Sequence, residues 1–172
     1  YIPAVALKLP EGETIVPNSI AFDTTPENAM IYVLTGPNRG GKSVITCAVG
    51  LCQVMLQLGM FLPADTCRIS PADGIYTHFP TGADDTIDKG RLGEECARLG
   101  EIFDAVTADS LVLLDESLSS TGSFEASYIA AEVLMGLCRV GCRCLFSTHL
   151  HELAAEIDRI IAAVDGTTPK EI

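Results

Sequence analysis

The sequence predicts an α/β fold: a mostly parallel sheet covered by helices, with an antiparallel layer of short strands ahead of it. Three observations carry that prediction. A short apolar run, Ile31 to Leu34, enters the glycine-rich stretch Gly36-Pro37-Asn38-Arg39-Gly40-Gly41-Lys42-Ser43. A second apolar run, Leu111 to Leu114, ends in Asp115-Glu116. Between and after them, segments of helical periodicity alternate with strand-like runs, as in parallel strands joined by helices.

At 172 residues the chain reads as a single domain, with residues 1–28 as the antiparallel layer and 29–172 as the core. Hydrophobic content of 48% with 20% charged residues suits a globular protein and argues against disorder. The net charge is −12 and no Lys/Arg cluster is present, so this segment is a poor direct binder of nucleic acid. Seven cysteines show no C-x-x-C pair and no zinc spacing, which predicts that most or all are free, buried thiols in a reducing cytoplasm. A chain beginning at Tyr1 rather than Met, with no signal peptide, reads as a piece of something longer.

The elements follow in order. Val5, Leu7 and Leu9, then Ile15 and Val16, then Ile20 and Phe22 alternate loosely, suggesting the short strands of the first layer. Ile31 to Leu34 is a buried strand. Ser43 to Ala64 holds no charged residue, but it opens inside the glycine-rich loop and carries Gly50, Gln53, Gln57, Gly59 and Pro63. A helix from Lys42 to about Leu58, covered on most sides, explains it better than a membrane span. Cys67 to Pro80 reads as one or two strands around the turn Pro71 to Gly74, and Thr81 to Gly90 as an acidic loop. Leu92, Cys96, Leu99, Phe103 and Val106 recur at helical spacing. Leu111 to Leu114 is a central strand. Ser123 is the expected N-cap of a helix whose stripe of Ile129, Ala130, Val133, Leu134 and Leu137 ends near Gly141. Cys142 to Ser147 is a strand, a short helix follows to about Ile157, and Arg159 to Val164 is the expected last strand.

The chemistry lies where strands end. Gly36 to Ser43 matches the phosphate-loop (P-loop, Walker A) pattern G-x-x-x-x-G-K-[ST]. Its glycines let backbone N–H groups converge on a phosphate chain, and the helix that follows directs its positive end there. Lys42 is expected to reach the β- and γ-phosphates of ATP, and Ser43 to ligate Mg²⁺. An apolar strand ending in acid is the Walker B arrangement, so Asp115 is expected to hold that Mg²⁺ and Glu116 to orient or deprotonate the attacking water. Thr148-His149 ends the next strand, where open α/β sheets place ligands, which suits His149 to sensing the γ-phosphate. His151-Glu152 does not complete a metalloprotease H-E-x-x-H, because residue 155 is Ala. His78 has no partner pattern and receives no role.

TGPNRGGKS, then SLVLLDES with SSTGSFEASYIAAE, then FSTHLHELA, together resemble the ATPase domain of the MutS mismatch-repair family. The spacer resembles it too, in the order Phe61-Leu62-Pro63-Ala64, Arg68-Ile69, Ile75-Tyr76-Thr77 and Gly82-Ala83-Asp84-Asp85. The likeness runs from about residue 13 to 155. It implies an ABC-class ATPase, in which ATP and Mg²⁺ are sandwiched between two such domains, as a homodimer or with a paralogous domain. It also implies that DNA is bound by other regions of the parent protein. Carried over, Lys42 and Ser43 bind phosphate and metal, Asp115 holds the metal, Glu116 is the catalytic carboxylate and His149 the switch histidine. Asn18 matches an Asn near the nucleotide, and Ile15 falls where an aromatic often stacks on adenine. Val44 and Arg39 depart from the family's Thr and Met. Gly90-Arg91-Leu92-Gly93-Glu94-Glu95 replaces the family's signature loop, so Gly90 and Arg91 are the expected contacts across the dimer.

Two readings of different class follow. One is a Mg²⁺-dependent ATPase of a MutS-like repair or recombination protein, slow as an isolated segment because each domain holds half a site. The other is a nucleotide-gated dimerisation module with little hydrolysis. The intact Asp115-Glu116 pair favours the first and the altered signature the second. A small-molecule kinase ranks below both, since no Arg-rich lid is evident.

Overall fold

The computed structural model describes residues 16–25, 27–37, 39–79, 90–118, 121–164 and 169–171. Its strands are β1 (Ile31–Leu34), β2 (Ile75–His78), β3 (Leu111–Asp115), β4 (Arg143–Ser147) and β5 (Pro169–Glu171). Its helices are α1 (Lys42–Gln57), α2 (Arg91–Ala105), α3 (Ser123–Val140) and α4 (His151–Ala163). The strands form one sheet in the order β2-β3-β4-β1-β5, and each neighbouring pair runs parallel.

A parallel sheet must be covered on both faces, and the pleat decides which residues go where. Ile31, Val33, Val112, Leu114, Cys144 and Phe146 project to one face. There they pack against Leu99 and Ile102 of α2, Leu134 and Leu137 of α3, and Leu153 and Ile160 of α4. The alternate residues Tyr32, Leu111, Leu113 and Leu145 face the other way, with Ala29, Ala72 and Val49 of α1. Each fully buried aliphatic side chain contributes roughly 1.5–3 kcal/mol. Gly50 lets α1 lie close on the sheet, for a Cβ there would stand 2.6 Å from Leu113 Cδ1.

Two side chains hold the loops at the sheet's ends. The Tyr32 hydroxyl donates to Ala21 O at 2.7 Å and accepts the Ala29 N–H at 3.1 Å, fixing the segment before β1. The Arg143 guanidinium donates to the carbonyls of Ser70, Pro71 and Asp109, joining the start of β4 to the turns before β2 and β3.

Several expectations are corrected. Among the described residues of the first segment no antiparallel layer forms: residues 16–25 and 27–30 hold only an isolated parallel bridge, Phe22 to Ala29. Tyr1 to Ile15 lie outside the described residues, as does the acidic loop at 81–89. Of the one or two strands expected around the Pro71–Gly74 turn, one forms, β2, and Ser70 O accepts from the Gln53 and Arg143 side chains. The α3 cap is Gly122 rather than Ser123, whose carbonyl accepts the Ser127 hydroxyl at 2.8 Å. Arg159 to Ala163 continue α4 rather than forming a strand, since Ile157 and Ile160 recur at helical spacing toward the core. The last strand is Pro169–Glu171. In α1, Thr46, Ala48, Gly50 and Gln53 are buried, while Val44, Leu51, Val54 and, just beyond, Leu58 are exposed.

Candidate functional site

The sheet order sets β1 between β4 and β5, with β3 beyond β4. The carboxyl ends of β1, β3 and β4 therefore lie at one edge of the sheet, the edge at which open α/β sheets bind ligands.

From β1 the chain enters the glycine-rich loop. Gly36 (φ 149°) and Gly41 (φ 90°) take conformations that a side chain disfavours, and Arg39 is left-handed at φ 67°. The Gly40 N–H donates to Pro37 O at 3.1 Å, and a Cβ on Gly40 would come within 3.0 Å of that oxygen. No side chain caps α1, so the N–H groups of its first turn remain directed at the loop. Lys42 is 7% exposed, and its ammonium donates to Gly36 O at 2.9 Å and Pro37 O at 3.2 Å. It also lies 3.5 Å from Glu116 Oε1.

At the end of β3, Asp115 is buried at 4% exposure. The β3–β4 register sets it opposite Ser147, whose hydroxyl donates to Asp115 Oδ1. Glu116 then turns out of the sheet in the left-handed region (φ 50°), while its N–H donates to Ser147 O at 2.9 Å. One carboxylate oxygen faces Lys42 and the other contacts His149 Nδ1. His149 is fixed from β4: the Thr148 N–H donates to Leu34 O at 3.0 Å, and the Thr148 hydroxyl accepts the Leu150 N–H.

Ser43 is exposed at the start of α1. Cys47, one turn along on the same helix face, lies within the field of Asp115: burial first, then the Asp115 charge, raises its thiol pKa. Among the described residues no cluster of three His, Cys, Asp or Glu side chains makes an all-protein metal cage. A hydroxyl and one or two carboxylates beside a phosphate-type loop do suit Mg²⁺, which keeps waters and takes phosphate oxygens as ligands.

The sequence-predicted residues Gly36, Pro37, Lys42, Asp115, Glu116 and His149 are thus brought to one place. Asn18 is exposed, its side-chain amide donating to Val16 O at 3.2 Å, and no hydrogen bond among the described residues joins it to the loop. Asn38, Ile15 and the Arg91 side chain lie outside the described residues. Gly90 caps α2 at φ −96°, with no side-chain cap bond. Sequence reasoning missed three members of the surroundings: Ser147 on Asp115, Ser117 beside Glu116, and His78, whose Nδ1 lies 2.7 Å from Ser117 Oγ. Only strand register could have revealed them.

A family model described as MutS domain V matches residues 32–167. The chain belongs to the MutS family. The matched span begins within β1 and runs past α4, so it takes in every strand-end residue of the cluster. Among MutS-family relatives, the DNA mismatch repair protein MutS of Salinibacter ruber is 37% identical over 163 residues, covering 92% of this chain and 18% of the relative. The DNA mismatch repair protein Msh6 of Homo sapiens is 37% identical over 159 residues, covering 88% of this chain and 12% of the relative. A probable DNA mismatch repair protein Msh6 of Drosophila melanogaster is 42% identical over 144 residues, or 83% of this chain and 12% of the relative. This MutS-family chain therefore spans less than a fifth of each.

Proposed function

We propose that this chain is the ATP-binding and ATP-hydrolysing domain of a MutS-like DNA mismatch repair or recombination protein, with a P-loop NTPase fold of the ABC class. The observation that carries the reading is the convergence of Lys42, Glu116 and His149 at the ends of β1, β3 and β4, above a glycine loop shaped for phosphate. The names of the MutS-family relatives support the repair context.

In this reading ATP lies along residues Gly36–Ser43, with its phosphates on the loop N–H groups and the start of α1. Lys42 exchanges the carbonyls of Gly36 and Pro37 for β- and γ-phosphate oxygens. Ser43 and Asp115 would hold Mg²⁺, which when bound would neutralise developing phosphate charge. Release of Lys42 toward phosphate leaves the Glu116 carboxylate to take the proton of a water molecule. As that water's oxygen bonds to the γ-phosphorus, the bond to the ADP oxygen breaks. His149, in contact with Glu116, holds the carboxylate toward that water. Each site is completed by a second copy or a paralogous domain, with Gly90 and Arg91 at the start of α2 as the contacts across the interface. DNA is engaged by other parts of the parent protein, because a chain at −12 repels phosphate backbones.

Glu116→Gln tests the roles. It keeps the shape and loses the base, so ATP turnover falls by about 10²-fold or more while ATP affinity is retained. Parental turnover in that variant, measured by phosphate release, would remove Glu116 from the reaction.

A further inference from the structure

His78, at the carboxyl end of β2, takes no part in the reading above, yet it is 3% exposed and directed into the protein. Its Nδ1 lies 2.7 Å from Ser117 Oγ, and that hydroxyl lies 3.5 Å from the His78 carbonyl oxygen. Among the described residues its Nε2 is buried without a hydrogen-bond partner. An apolar side chain would fill the same place without burying an unsatisfied nitrogen, so the imidazole has to be accounted for by what Nδ1 does. Burial, then the charge of Arg98 on α2, lowers the pKa of the ring against the opposing Glu95, which favours a neutral hydrogen-bonding imidazole.

The partner of Nδ1 is the informative part. Ser117 stands between Glu116 (φ 50°) and Leu118 (φ 66°), both left-handed without being glycine. Such a turn is strained and persists only where its surroundings fix it. Three anchors are visible: the Glu116 N–H on Ser147 O, the fully buried Leu118 side chain, and the Ser117 hydroxyl on His78.

We propose that His78 is a positioning residue for Glu116: through Ser117 it fixes the strained turn that aims the carboxylate between Lys42 and His149. It touches neither nucleotide nor metal, and its effect passes through the backbone of residues 116–118. The inference rests on the reading of Glu116 as the acting carboxylate.

The test is kinetic and uses the 172-residue chain with Mg-ATP. His78→Leu and Ser117→Ala each remove the bond, and His78→Asn retains an amide group near the place of Nδ1. The first two lower kcat by about 10- to 100-fold, the cost of a small misplacement, and leave the affinity for a fluorescent ATP analogue within about twofold. His78→Asn recovers kcat to within about threefold of the parent. Parental kcat in His78→Leu and Ser117→Ala would overturn the proposal. So would equal losses of kcat and affinity, or a His78→Asn variant as slow as His78→Leu. Should the leucine variant not fold, Ser117→Ala and His78→Asn decide by the same criteria. Glu116→Gln in parallel separates the two levels. A parent no faster than Glu116→Gln refutes the hydrolytic reading and this inference with it. A parent well above Glu116→Gln but equal to the His78 and Ser117 variants refutes positioning alone.

Discussion

At the scale of single residues, the chain separates side chains that face chemistry from side chains that only fill space, and the cysteines show it best. Cys138, Cys142 and Cys144 lie buried between α3 and the sheet. Burial pushes the Cys138 thiol up to about 12 and the Cys142 thiol up to about 11, with Cys144 raised well above its ordinary value. Cys67 and Cys96 are exposed. Timed alkylation of the native chain at pH 7.5, followed by mass spectrometry, should mark Cys67 and Cys96 first and leave the buried three unmodified. Labelling of Cys142 at the rate of Cys67 would contradict the packing. The same burial has a pH consequence. Thiols in the unfolded chain ionise from about 9.0 upward while the folded thiols stay neutral, so this stabilisation is complete below that pH and is lost as pH rises toward 11 to 12. The site residues divide differently. Lys42, Asp115, Glu116 and His149 were legible because their spacing from strand ends is written in the chain itself. His78 and Ser117 were not, being 39 residues apart and joined only by the pairing of β2 with β3.

At the scale of elements, helix ends and interiors make opposite demands on glycine. Gly141 closes α3 at φ 78°, its N–H donating to Leu137 O at 2.9 Å, with no atom within 4 Å of where a Cβ would go. Gly100 lies inside α2 with equally open space and ordinary helical backbone. Gly141→Ala should therefore destabilise by about 1–2 kcal/mol through left-handed strain. Gly100→Ala should stabilise by about 0.5–1 kcal/mol through helix propensity. Thermal denaturation should move in opposite directions, by about 2–4 °C per kcal/mol for a domain of this size. Shifts of the same sign would contradict the assignment of one as cap and the other as interior. Element type was well predicted wherever periodicity ran long, as in α2 and α3. It failed where short apolar runs fit two templates: Arg159–Val164 has β-branched residues enough for a strand, but Ile157 and Ile160 fall one turn apart and face the sheet. The absence of charge from Ser43 to Ala64 suggested a helix covered on most sides. Gly50 is the residue pressed against β3, and Val44, Leu51 and Val54 stay exposed on another side of the helix.

At the scale of the molecule, the order β2-β3-β4-β1-β5 matters more than any one contact, since it alone brings residues 42, 116 and 149 together. The acidic balance of −12 works against two copies meeting, a repulsion that salt screens over about 8–10 Å. A bridging Mg-ATP would have to offset it, so nucleotide binding has to precede any pairing of two copies. Titration calorimetry of Mg-ATP into the chain and into Lys42→Ala tests that claim most directly. The account predicts one ATP per parental chain, and an affinity about 10- to 100-fold weaker or undetectable in Lys42→Ala, as the loss of a charge-assisted contact to phosphate requires. Undiminished affinity in Lys42→Ala, or no binding by the parent, would contradict it.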